Sequence, residues 1–86
     1  MMHDRGLCKL AKECGELIQD AMKLSSYPDN DHPSGVDVRE KLTEEIADVL
    51  AAINFVIEKH RLNFRVIEER RAQKLEIFKS WDTEDD

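Results

Sequence analysis

KLAKECGELI, residues 9–18, and KLTEEIADVL, residues 41–50, are two copies of one pattern set 32 positions apart. Each copy opens on Lys-Leu and carries a glutamate, then a small residue, then a second acid: Glu13, Gly15 and Glu16 in the first, Glu45, Ala47 and Asp48 in the second. On a helical wheel at ~100° per residue, Glu16 falls about 60° to one side of Glu13, and Leu10, Cys14, Leu17, Ile18 and Ala21 fill an arc of about +40° to +140° on the other. Leu42, Ile46, Val49, Leu50, Ile53 and Ile57 occupy the same arc relative to Glu45, with Asp48 beside that glutamate. Both copies therefore read as α-helices whose apolar stripe is bordered by two acids.

Outward from the repeat, the apolar spacing predicts a first helix over residues 4–24, without internal proline. Residues 25–36, SSYPDNDHPSGV, gather both prolines and one of the three glycines, so the helix must end in a surface loop there. Asp37, with Glu40 three residues on, is placed to cap a second helix over 37–60. Asn63 is placed to cap a third over 64–80, carrying Phe64, Ile67, Leu75, Phe78 and Trp81. The acidic end, residues 82–86, reads as a frayed tail. No strand pattern occurs. The predicted fold is a single all-α domain over residues 1–86, an antiparallel helical hairpin plus a third helix. A chain of 86 residues hides only ~60% of its unfolded surface. A four-helix-type bundle completed by oligomerisation is thus expected.

The formal net charge of −6 argues against a broad basic face for nucleic acid. Arg65, Arg70, Arg71 and Lys74 make a local basic cluster, read as a solvated face balanced by Glu68, Glu69 and Glu76, with contact to a small phosphate as its other reading. No segment approaches the ~20 apolar residues of a membrane span, and the N-terminus lacks a signal-peptide pattern. Cys8 and Cys14, six positions apart with no CxxC, read as reduced packing residues. A cytoplasmic protein is expected, with neither membrane nor nucleic acid as partner.

Packed as a hairpin, the two stripes bring Glu13, Glu16, Glu45 and Asp48 to face one another across the seam. Four like charges in one cleft are tolerable only if they protonate, pair with lysines or bind a cation. All-oxygen ligands favour Mg²⁺, Mn²⁺ or Ca²⁺ over zinc. With 19 acids in the chain, pairs at this spacing also arise by chance, as Asp37/Glu40 and Asp82/Asp85 show. The shared wheel position within a repeat is what marks Glu13/Glu16 and Glu45/Asp48 out. Gly15 and Ala47 leave space beside the acids for a helix, a metal or a ligand, or serve close packing alone. Neither His32 nor His60 belongs to a Glu-x-x-His pair, which disfavours ferritin-like di-iron chemistry. No glycine-rich phosphate loop or serine elbow is present.

E13-C-G-E16 and E45-I-A-D48, within KLAKECGELIQDAMK and LTEEIADVLAAINFVIE, resemble the motif of the MazG-like all-alpha nucleoside triphosphate pyrophosphohydrolases. The resemblance runs from Leu7 to Glu58, 52 of the 86 residues. It implies that Glu13, Glu16, Glu45 and Asp48 coordinate Mg²⁺, or Mn²⁺, and serve catalysis. The implied reaction hydrolyses a nucleoside or deoxynucleoside triphosphate to the monophosphate and pyrophosphate, in a homodimer or homotetramer. The family often carries a further acid directly before its first motif glutamate, and Lys12 stands there. Lys23, Lys41 and Lys74 are the candidates to meet phosphate oxygens. Tyr27, Phe55 and Trp81 are the aromatic candidates to stack on a base, with Phe55 also read as a subunit contact and Trp81 as a cap of the bundle. The reading from another class is a non-catalytic helical interaction module, or an inactive relative of that family, whose acids serve solubility or a basic partner.

Overall fold

The structure, a computed structural model, describes residues 4–84, and these form three helices and no strand: α1 (Arg5–Ser26), α2 (Val38–His60) and α3 (Phe64–Glu84). Local chemistry sets the boundaries. The Asp4 carboxylate accepts the Leu7 N–H at 2.9 Å, Asp37 accepts the Glu40 N–H at 3.0 Å, and Asn63 Oδ1 accepts the Val66 N–H at 3.1 Å. α2 ends with Arg61 in the left-handed region at φ 53° and the Leu62 N–H reaching back to the Ile57 carbonyl at 3.1 Å, a Schellman closure. α3 runs to Glu84, past the expected end at residue 80, so the region expected to fray is helical at least that far. Asp85 and Asp86 lie outside the described residues.

α1 and α2 pack antiparallel on one another, while α3 makes only marginal contact with them. The hairpin's open end is tied by Asp4, whose carboxylate lies 3.2 Å from Lys59 Nζ and 3.0 Å from His60 Nε2. At its closed end Asn30 bridges the loop, donating to Asp37 at 2.8 Å and accepting the Arg39 N–H at 3.1 Å.

The buried apolar side chains are Val38, Val49, Ala52 and Val56. Counted from Glu45, the last three sit four, seven and eleven residues on. The contact line of α2 therefore passes through Glu45 itself and not through the middle of the apolar arc. This differs from the wheel reading, which put the core at +40° to +140°. Two helices alone meet along a narrow line, so only the near edge of each stripe is covered. Leu10, Cys14, Leu17, Leu42, Ile53 and Ile57 are half-buried. Leu7, Ile18 and Met22 of α1 and Ile46 and Leu50 of α2 are exposed, Ile18 by 64%. Because the helices are antiparallel, these far edges turn to the same side of the hairpin, and Glu16 and Asp48 turn to the other.

Asp4 both caps α1 and carries the cross-helix ion pairs. The Leu7 N–H, foremost, with Lys59 and His60, holds its carboxyl below the usual value of 3.8. A depressed carboxyl contributes stability that is present above its unfolded pKa and lost as pH falls through the folded one. Asp4→Ala is expected to lower the melting temperature by roughly 4–8 °C at neutral pH, the effect of a lost cap in a domain this small. Asp4→Asn, which keeps an acceptor, should lose less. In circular-dichroism melts both deficits should shrink below the ordinary aspartate range, ~pH 3.9.

Candidate functional site

Halfway along the seam, carboxylate oxygens of Glu13, Glu45 and Asp48 come within 4.8 Å of one another. Glu13 and Glu45 are 5% and 7% exposed, the only charged residues among those described that are buried. They are central because each lies on its helix's contact line, and the repeat brings equivalent positions opposite each other in an antiparallel pair. Asp48, one turn beyond Glu45, is exposed at the mouth. Glu16 is half-buried and close enough for its carboxylate to act on Glu45. The structure thus gathers all four acids predicted from the sequence, three of them as one tight group.

Only part of this charge is met by the chain. Lys9 Nζ lies 2.8 Å from Glu13 Oε1. Glu13 Oε2 and Glu45 Oε1 are buried with no donor among the described groups. Two carboxylates this close cannot both ionise cheaply, so their titrations split. Glu45, facing Glu13 in a site that also desolvates it, has its pKa raised from 4.5 to about 7. Glu13, facing Glu45 and paired with Lys9, is held below the usual value. The Lys9 ammonium, bonded to Glu13 and near Glu16 and Asp48, is held above its usual value.

A hard divalent cation fits this donor set. One carboxylate oxygen from each of Glu13, Glu45 and Asp48 lies within 4.8 Å of the others, a spacing one hard cation could bridge, and a cation there would supply positive charge to oxygens that have no donor. Glu13, Glu45 and Asp48 would hold it, with Glu16 in reserve at the rim. Gly15 is exposed, and a Cβ there would meet nothing within 4 Å, so its small size leaves room without serving any packing inside the hairpin.

Cavities of about 370 and 360 Å³ open on this side of the seam, the second lined by Lys9, Glu13, Asp48, Ala51 and Ala52. Lys23, Lys41 and Lys74 line neither: Lys23 and Lys41 are exposed near the loop, and Lys74 is half-buried on α3. Lys9 is not among the lysines the sequence singles out. Its signal was the Lys-to-Glu spacing of four residues with Glu13. Of the aromatic candidates, Tyr27 packs edge-on against His32 in the loop, and Trp81 lies against Phe78 on exposed α3. Cys8 and Cys14 are free thiols, Cys8 on the surface. No family model, curated protein or solved structure matches the chain.

Glu45 is raised above its unfolded value. The stability it contributes is therefore fully present below about pH 4.5 and lost as pH rises through about 7. Metal-free protein is expected to melt at progressively lower temperature between about pH 5 and pH 8. Mn²⁺ or Mg²⁺ should remove most of that decline, and Glu45→Gln should abolish both the decline and the metal's effect, as read by melts with and without the ions.

Proposed function

We propose that the protein is a Mg²⁺-dependent nucleotide pyrophosphohydrolase, converting a nucleoside or deoxynucleoside triphosphate to the monophosphate and pyrophosphate. The observation that carries this reading is the pair of buried, donor-less carboxylate oxygens of Glu13 and Glu45, with Asp48 in reach, on the Glu-x-x-Glu and Glu-x-x-Asp repeat that resembles the MazG-like family.

Glu13, Glu45 and Asp48 would hold the cation, Mg²⁺ or Mn²⁺, and Glu16 would complete or orient that set. When bound, the cation neutralises phosphate oxygens and acidifies a nearby water. The carboxylates orient that water toward the phosphorus, and one accepts its proton. Lys9, paired with Glu13 at 2.8 Å and lining the cavity beside the acids, would offer its ammonium to the phosphate chain. The product is a nucleotide shorter by two phosphates. Lys12, in place of the family's extra acid, limits the oxygen ligands on this side.

The protein works in the cytoplasm as a homodimer or homotetramer. Leu7, Ile18, Met22, Ile46 and Leu50, exposed on the side away from the acids, supply the contact between copies, and the apolar residues of α3 extend it into a four-helix-type bundle. The same exposed surface favours a second reading, a non-catalytic helical interaction module. On that reading the acids have no ligand, and melts do not respond to metal.

Pyrophosphate release, followed with pyrophosphatase and malachite green across the common ribo- and deoxynucleoside triphosphates, is expected for at least one substrate, and to stop when EDTA removes Mg²⁺. Glu13→Gln and Asp48→Asn should each lower kcat/KM by ~100-fold or more. No turnover of any of these nucleotides by folded protein overturns the enzymatic reading.

Leu50→Glu is expected to shift the assembly toward monomer in sedimentation velocity. The metal-dependent stabilisation should persist, because Leu50 turns away from the acids.

A further inference from the structure

The acid cleft continues beyond Asp48. Its cavity shares Lys9 and Ala52 with the one lined by Arg5, Gly6, Lys9, Ala52 and Phe55, so the two adjoin along the seam. Each has the volume of a small-molecule site, ~300–1,000 Å³. Their chemistry differs sharply. One end carries carboxylates, whereas the other is walled almost wholly by apolar atoms. From Glu13 to Gly6 is seven residues, ~10 Å along the helix.

The apolar end is built around one ring. Phe55 is 54% exposed, yet held in place: a Cβ at Gly6 would come within 2.8 Å of its Cε1 and 2.9 Å of its Cδ1. Only glycine lets the ring press this closely on the α1 backbone. Cations border it, with Arg5 and Lys9 in the lining and Lys59 Nζ 6.0 Å from the ring centroid. On the wheel, Arg5 and Phe55 both fall at about −80° from their helix's central glutamate, the acid side of the hairpin, opposite Ile18 and Leu50.

We infer that the groove beside Phe55 seats the nucleobase of the nucleotide whose phosphates meet the acids. The inference rests on the pyrophosphohydrolase reading and deepens it. A ligand with a flat, electron-rich ring at one end and a metal-binding polyanion at the other matches both ends of the groove at once. The ring lies against Phe55 and Ala52 within reach of the Arg5 guanidinium, and Lys9 stands at the junction, where the phosphates begin. An apolar side chain would leave the junction and the acids unused.

Calorimetric titration of the full chain with Mg²⁺ separates the two ends, using tripolyphosphate against the α,β-imido analogues of the common ribo- and deoxynucleoside triphosphates. At least one analogue is expected to bind more tightly than tripolyphosphate. Phe55→Leu should weaken that analogue by roughly 5- to 150-fold, the range of a lost base–aromatic stack, and leave tripolyphosphate within about twofold. Arg5→Gln, at the exposed first residue of α1, tests the same subsite without touching the packing at Gly6 and should act in the same direction. The subsite is overturned if no analogue outbinds tripolyphosphate, or if both variants change the two ligands equally or not at all. It is likewise overturned if Phe55→Leu only dissociates the assembly with the ligand preference intact, which assigns Phe55 to a second copy. Failure of tripolyphosphate itself to bind removes the phosphate reading instead, and the subsite then stands or falls on whether the variants weaken the analogues.

Discussion

The structure turns on two glutamates that cannot be moved out of the way. Glu45, Val49, Ala52 and Val56 lie on one line of α2, and Glu13 lies on the facing line of α1. Rotating α2 to expose its carboxylate would withdraw the valines and alanine that hold the hairpin together. The fold therefore accepts a buried like-charge pair as a condition of having a core. A leucine at either position would pack there without that penalty, so the pair is not explained by stability.

That constraint orders the surroundings. The raised pKa of Glu45 and the ion pair of Glu13 with Lys9 relieve only part of the charge, and Lys9 is 58% exposed on a flexible stem. Two carboxylate oxygens still lack a donor. Charge that is only partly compensated is open to further positive charge at little structural cost, since the carboxylates are already positioned by helix packing.

Much of this was legible in the sequence because it depends on local rules. Asp37 and Asn63 act as caps because a short acceptor side chain before a helix has few other uses, and the proline-rich run from 25 to 36 had to be a loop. The four acids were legible because a repeat repeats its geometry: equivalent residues in antiparallel copies meet. What the pattern could not give was the orientation of each stripe. A wheel shows which residues share a face, but the line of contact depends on how many neighbours a helix has, and with one neighbour it shifted toward Glu45 and left Ile46 and Leu50 bare. Lys9 is not legible for a related reason, since its place beside the acids depends on helix packing and its spacing to Glu13 is ordinary for any helix. The placement of α3 follows from no local rule, for its apolar residues find little to cover on the hairpin.

The shifted contact line also separates two demands that would otherwise compete. Had the hairpin closed on the middle of its apolar arcs, the acids would lie at the solvent edge as ordinary surface charge, and the groove running to Phe55 would not exist. Closing on the glutamates instead buries the charge, opens the groove on one side and leaves the greasy edges of both helices on the other. Association through those edges would then stiffen the hairpin from behind, without covering the acids or displacing what they hold. The same geometric choice that leaves the chain a small core leaves its apolar edges and its acids on opposite sides of the hairpin.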